Sequence, residues 1–368
     1  MISKLSGRQS ERMYPSDVAL PPRQPVFKRI VASTKHTAHL LPGTGLSALL
    51  SLAATFVSTL HGGPQFLYAL FFGVAFHYLS HEPRSKPGIE FSSRTLLRFG
   101  VGLLGARITA AQIAGLGWST ALVVVAGVLT TMAVGLALGR RLGLTRAQSV
   151  LSGGAVAICG ASAALAISAV LPREKEGDRF TLMVVVTVTV LSTVAMVLYP
   201  LVARAVHLPP ELAGLFIGGT IHDVAQVVGA GYTLGQEAGD IGTVVKLFRV
   251  AMLTLVVVTV AAAFKRSREQ AEKEHASGRT PARQPLVPWF LWLFVAMVVL
   301  NSAGMFSHAM QDTLNSVSRG SLVVAISALG MKTSFQQLAQ AGWRPLLLIV
   351  AETVWLAVLV LGYAVIVK

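Results

Sequence analysis

From residue 44 to its end the chain is a train of apolar runs separated by short gaps. A bilayer core takes about 20 apolar residues as a helix, with a tolerance of a few either way. Runs of that size fall at roughly 44–60, 65–80, 92–106, 119–138, 147–171, 180–205, 211–234, 241–264, 288–307, 313–331 and 345–367. The pattern predicts an all-α integral membrane protein with about 11 transmembrane helices. Charge agrees: 13% of residues are charged, against about 25% in soluble chains. The 34 glycines suit helices packed closely in lipid through small residues. A soluble enzyme is excluded. The single cysteine, Cys159, excludes an intrachain disulfide and any Cys-based zinc site.

Two stretches are polar. Residues 1–43 carry five prolines and seven Lys or Arg, and read as a disordered basic N-terminal tail without a cleavable signal. Residues 44–368 then form one polytopic transmembrane domain, interrupted by a basic loop at 265–287. The net charge of +15 is therefore a topological signal, not a nucleic-acid footprint. With eleven spans it places the N-terminus in the cytoplasm and the C-terminus outside. A re-entrant segment would change the parity, as would a third or tenth run that failed to cross.

The stretch 93–118, SRTLLRFGVGLLGARITAAQIAGLGW, aligns without gaps on 318–343, SRGSLVVAISALGMKTSFQQLAQAGW. Identical pairs include Ser93 with Ser318, Arg94 with Arg319, Gly105 with Gly330, and Trp118 with Trp343; Arg107 meets Lys332. Chance similarity of two amphipathic segments is the plain alternative. Seven spans separate the copies, and an odd shift turns the second upside down. Inverted repeats of this kind are common in secondary transporters, whose sites lie near the bilayer midplane.

Two runs break the rules of a plain spanning helix. The first carries Gly153, Gly154, Cys159, Gly160 and Ser162; the second carries Gly218, Gly219, His222, Asp223 and Gln226. Glycine costs about 1 kcal/mol per residue in a helix interior relative to Ala, so these clusters read as glycine-broken helices or as unbroken helices in close contact. Unwound backbone survives at membrane depth only where it lines a cavity or is buried. A helix start at such a break aims free N–H groups and a positive dipole end at an anion.

Lys246 and Arg249, three residues apart, share a helix face. They read as anion ligands or as interfacial anchors that snorkel. Asp223 is the intramembrane acid beside the breaks, or else a counter-ion for one of those cations. Glu352 reads as a helix–helix polar contact, His77 as interfacial, and Cys159 as a small packing residue. A cation antiporter would place paired carboxylates at its broken helices. One Asp among His, Lys and Arg suits an anion instead. His222 adds a group that titrates near neutral pH.

The stretches LLRFGVGLLGARIT, SGGAVAICGASAALA, FIGGTIHDVAQVVGAG and VVKLFRVAML resemble the YeiH-type sulfate exporter family over about 44–368. The resemblance implies a multi-pass inner-membrane secondary transporter exporting sulfate or related sulfur oxyanions and sulfonates. It further implies a distant link to bile-acid and arsenite transporters, with core and panel domains and crossed broken helices. The family's Cys-Gly break falls on Cys159 and Gly160, its His-acid-x-x-Gln element on His222, Asp223 and Gln226, and its Lys-x-x-Arg element on Lys246 and Arg249. Glutamate is usual where this chain has Asp223, and the basic tail is longer than the family core requires.

The sequence thus predicts a proton- or ion-coupled secondary transporter for a small inorganic or organic anion in the bacterial inner membrane. Gly153, Gly154, Gly160, Gly218 and Gly219 would open the backbone. His222, Lys246 and Arg249 would hold the anion, and Asp223 and Gln226 would orient them. No cofactor, metal or nucleic-acid partner is expected, and a homo-oligomer is left open. A passive anion channel, or a transporter of another small anion or organic acid, is the alternative. A membrane enzyme lacks a paired nucleophile, and a phosphate loop for ATP-driven transport is absent.

Overall fold

The computed structural model describes residues 39–172, 177–266, 289–333 and 342–368. Residues 1–38 of the basic tail, most of the 265–287 loop and residues 334–341 of the second aligned segment lie outside them, while 41–43 already belong to the first helix. In chain order the helices are α1 (Leu41–His61), α2 (Gln65–Ala75), α3 (Lys86–Phe91) and α4 (Leu97–Leu104). A π-helical turn at Ser92–Leu96 joins α3 to α4, and a 3-10 turn at Gly105–Arg107 extends them. Next come α5 (Ala110–Gly115), α6 (Gly117–Arg141), α7 (Arg146–Ala157), α8 (Ala161–Ser168) and α9 (Gly177–Ala205). Last are α10 (Pro210–Thr220), α11 (Val224–Leu234), α12 (Gln236–Ala263), α13 (Trp289–Ser302), α14 (His308–Lys332) and α15 (Trp343–Val367). Among the described residues there is no strand. Six helices among the described residues (α1, α6, α9, α12, α14 and α15) are long and apolar enough to cross a membrane.

The sequence places these starts by ordinary rules. Thr145 opens α7 with a capping box: its hydroxyl accepts from the Gln148 N–H at 3.1 Å, and its own N–H donates to Gln148 Oε1 at 3.0 Å. Pro210 occupies the first turn of α10, where its missing N–H costs nothing. Asp223 caps α11 by accepting from the Ala225 N–H at 3.2 Å.

The runs at 147–171 and 211–234 are not the broken passes expected from hydropathy. Each is a helical hairpin that returns to the end it came from. Helices α10 and α11 both lie on the first half of α12. A Cβ on Gly214 would meet Ile241 and one on Gly218 would meet Val245, so α10 runs parallel to α12. A Cβ on Gly231 would meet Gly239, and one on Gly242 would meet Val227, so α11 runs back. Arg204, at the end of α9, donates to the Thr233 carbonyl at 2.8 Å, which fixes both α11 and α9 as ending on one side. In the first hairpin the Gly160 N–H donates to the Ala155 carbonyl at 2.8 Å, and a Cβ on Gly154 would strike Ile167 of the returning α8.

The two hairpins enter from opposite ends of the bundle. The first starts beside the end of α6, where Ser149 lies on Gly139, and the Arg146 guanidinium sits 5.5 Å from the Phe264 ring after α12. The second starts from the end where α1 and α9 finish. Two reversals cancel in parity, so the N-terminal start of α1 and the final residue still lie at opposite ends; Lys368 donates to the Val206 carbonyl at 2.9 Å. Described basic residues concentrate at the end where α1 begins, including Arg84, Lys86, Arg140, Arg141, Arg146, Arg179, Lys265, Arg266 and Arg344. The other end holds Arg107, Arg204, Arg319 and Lys368.

The aligned segments pack against each other head to tail. Ser318 donates to the Gly100 carbonyl at 2.7 Å, and Lys332 Nζ lies 3.4 Å from Ser93 Oγ, so α14 runs antiparallel to the 86–107 segment. The helices after the copies do likewise. Leu348 lies beside Gly139 and Leu356 beside Gly127, while Trp355 Nε1 donates to Thr130 Oγ1 at 3.1 Å. Thr130 and Trp355 are separated by the same offset as the aligned segments.

Candidate functional site

Both hairpin tips lie at the centre of the bundle. The first is Ile158–Cys159–Gly160 and the second Ile221–His222–Asp223. Gly160 has φ +61°, where a side chain is strained, and a Cβ there would come within 3.2 Å of His222 Cβ. The backbone of the first tip thus packs closely on the His222 side chain of the second. By contrast α7 continues through Gly153 and Gly154, and α10 through Gly218 and Gly219. These four do not open the backbone as expected. Gly153 admits Met132 of α6, and Gly218 admits Gly242 of α12. Both breaks fall after the glycine pairs.

A tip has two faces of opposite sign. The last carbonyls of α7 and α10 have no helical partner, and a helix C-terminus carries about half a negative charge. Lys246 and Arg249 of α12 reach both helix ends. Lys246 Nζ donates to the carbonyls of Ile158 at 2.6 Å and Ile221 at 2.9 Å. Arg249 Nε donates to Ala157 at 3.0 Å; Nη1 donates to Gly218 at 3.1 Å and Ile221 at 3.2 Å. Its Nη2 donates to Val156 at 3.0 Å and Ala157 at 2.8 Å. All five guanidinium donors are engaged, and both residues are buried. The Lys-x-x-Arg pair is therefore a double helix cap. Arg249 has no donor left for an anion, and Lys246 retains one.

The opposite faces are the starts of α8 and α11. Each carries about half a positive charge; the start of α8 has no side-chain cap, while that of α11 is capped by Asp223. Ser162, on the first turn of α8, is exposed, and its hydroxyl donates toward Cys159 Sγ at 3.0 Å and the Cys159 carbonyl at 3.2 Å. Asp223, half-buried, receives the Ala225 N–H on its carboxylate, and its own N–H donates to Ser192 Oγ at 3.1 Å. Lys332, half-buried on α14, lies outside the hairpins with its Nζ 3.4 Å from Ser93 Oγ. Lys332 was not expected in the site, although its match to Arg107 marked it as a basic position worth following.

His222 and Gln226 point away from this opening. The Thr353 hydroxyl donates to the Ile349 carbonyl at 2.7 Å, so it accepts from His222 across 3.1 Å, which places the imidazole hydrogen on Nε2. Gln226 is fully buried and donates to Thr193 Oγ1 at 3.5 Å. Cys159 is buried at the tip. The structure thus gathers Cys159, Gly160, Ser162, His222, Asp223, Gln226, Lys246 and Arg249 in one place, with Gly153, Gly154, Gly218 and Gly219 in the arms behind. No cluster of metal-ligating side chains occurs among the described residues.

A cavity of about 610 Å³ opens beside α11 at the end where α1 finishes, lined by Gln65, Arg107, Tyr232, Asp312, Asn315 and Arg319. Arg107 pairs with Asp240 at 3.2 Å, and the Tyr232 hydroxyl donates to the same carboxylate at 2.5 Å. None of the residues lining it belongs to either tip.

Comparison with known proteins agrees with a membrane assignment. The family described as "Conserved hypothetical protein 698" matches residues 42–349. The UPF0324 membrane protein CT0845 of Chlorobaculum tepidum is 48% identical over 322 residues, covering 87% of this chain and 88% of its own. The UPF0324 membrane protein TauZ of Paracoccus pantotrophus is 47% identical over 320 residues, covering 87% and 93%. The UPF0324 membrane protein RA0957 of Rhizobium meliloti is 38% identical over 357 residues, covering 95% and 96%. No solved structure matches. With its apolar helices, its paired hairpins and these relatives, the chain belongs to the UPF0324 family of multi-pass membrane proteins, the family of YeiH.

Proposed function

We propose that the protein is a secondary transporter that exports a small oxyanion, such as sulfate, sulfite or a sulfonate, across the inner membrane by alternating access. The observation that carries this reading is the charge arrangement at the tips. The negative ends of α7 and α10 are neutralised by Lys246 and Arg249, and Asp223 caps the start of α11, while the positive start of α8 remains open at the exposed Ser162, with Lys332 of α14 outside the hairpins. Such a site favours an anion through backbone N–H groups and dipoles. Lys246 stabilises it through its remaining donor and its field, not as a primary clamp.

The antiparallel packing of the repeat copies supports an inverted repeat, with one hairpin admitted from each end. Two such halves give two exchangeable arrangements around one site, as alternating access requires. The start of α1 lies at the basic end, and by the positive-inside rule this supports a cytoplasmic position for that end.

Flux of radiolabelled sulfate, sulfite and taurine into proteoliposomes at two pH values tests the reading. Saturable uptake of at least one is expected. Lys332→Met is expected to weaken it about tenfold or more, because a lost charge-assisted hydrogen bond is worth about 1.5–3 kcal/mol. Absence of flux for every oxyanion would refute the proposal, and unsaturable flux would make the protein a channel.

A further inference from the structure

Glu352 of α15 is an acid that the anion site does not use. It is fully buried, and α15 at this level touches both hairpins. Glu352 Oε2 accepts from Ser152 Oγ of the first hairpin at 2.6 Å. The next residue, Thr353, holds His222 at the second tip. Glu352 Oε1 has no hydrogen-bond partner. The carboxyl fits because α6 and α7 carry glycine beside it: a Cβ on Gly135 would collide with Oε1, and one on Gly153 would lie 3.6 Å from it.

The helices packed on α15 are α6, α7, α9 and α10. Their charged groups sit toward helix ends: Arg140 and Arg141 on α6, Arg146 on α7, Asp178, Arg179 and Arg204 on α9, and Glu211 on α10. Tyr199 of α9 stacks near Phe216, while Arg344, Tyr363 and Lys368 belong to α15 itself. Among the described residues none of these pairs with Glu352, and Lys246 and Arg249 are turned to backbone carbonyls. An ionised carboxylate with one hydroxyl donor and no cation is strongly disfavoured in such surroundings.

We infer that Glu352 is the proton-binding site of the transport cycle, holding a proton in this arrangement and releasing it when α7 shifts against α6 and α15. The inference rests on the transporter reading and supplies its coupling ion. Its position explains the coupling. The carboxyl is wedged where the first hairpin meets a helix of each repeat, so relative movement there changes its access to water.

Three readouts on purified, reconstituted protein test this. Infrared difference spectra of the wild type should show a protonated carboxyl band that is missing from Glu352→Gln. Dicyclohexylcarbodiimide, which attacks protonated buried carboxyls, should label Glu352 faster in acidic than in alkaline medium. A pH gradient should drive wild-type accumulation by up to about tenfold per unit for one coupled proton. Glu352→Gln should lose that drive yet keep substrate counterflow. Absence of the band and of labelling in the wild type would overturn the inference even if transport proved real. So would pH-driven accumulation that survives in Glu352→Gln. If no substrate moves at all, the transporter reading fails, while band and labelling still decide whether Glu352 holds a proton.

Discussion

Arg249→Met is expected to destabilise the folded protein by about 3–5 kcal/mol, the range for removing one member of a buried charged network. The cause is local. Five hydrogen bonds to Val156, Ala157, Gly218 and Ile221 disappear together, leaving the ends of α7 and α10 with orphaned carbonyls in a dry interior. Each buried polar group without a partner costs about 1–3 kcal/mol. Arg249→Lys should recover only part of this, because an ammonium has three donors and lacks the planar fork that spans both hairpins. Arg98→Met is the control. Its guanidinium is exposed, 6.0 Å from the Phe290 ring, and surface changes typically lie within about 0.5 kcal/mol. Thermal unfolding in detergent, followed by the loss of monodisperse protein, measures the order: wild type and Arg98→Met together, then Arg249→Lys, then Arg249→Met. Equal stability of Arg249→Met and wild type would remove the double cap from the account.

Gly160→Val is expected to abolish transport while leaving the protein inserted. A side chain at φ +61° costs about 1–2 kcal/mol. Its Cβ would also meet His222 Cβ at 3.2 Å and Val188 Cγ2 at 3.4 Å. Forcing extra atoms into a packed contact adds about 1–3 kcal/mol. A combined penalty of about 2–5 kcal/mol lowers the population of the closed-tip arrangement by about 30-fold to several thousand-fold. Gly160→Ala carries the backbone strain with less crowding and should lie between. Uptake by reconstituted protein is the readout, with the amount inserted as the control. Wild-type uptake by Gly160→Val would show that the tips need not touch.

Much of this was legible in the sequence, but unevenly. Hydropathy located the helices because lipid requires apolar runs. The glycines and the His-Asp pair marked both tips to within a few residues. Lys246 and Arg249 were visible as cations within an apolar run, and their spacing put them on one face. Their use as caps was not visible, because it depends on carbonyls about 30 to 90 residues away in sequence. The reversal at each tip was hidden for the same reason. A hairpin of two half-length helices has the hydropathy of one full pass. Only long-range contacts, such as Gly231 on Gly239 and Arg204 on Thr233, show which way the second half runs. Because there are two reversals, the parity of the chain gave no warning. Glu352 looked like an ordinary polar contact, and that it faces Ser152 with no cation nearby is a property of packing alone.

The central claim is that the start of α8 holds the transported anion and opens to one side at a time. Ser162→Cys in a Cys159→Ser background places one thiol on that exposed first turn. The rate of its modification by a membrane-impermeant thiol reagent should fall as a transported oxyanion is added, and should not fall with an anion that is not carried. A thiol that no impermeant reagent reaches from either side, or one whose rate is unchanged by a transported oxyanion, would contradict the account.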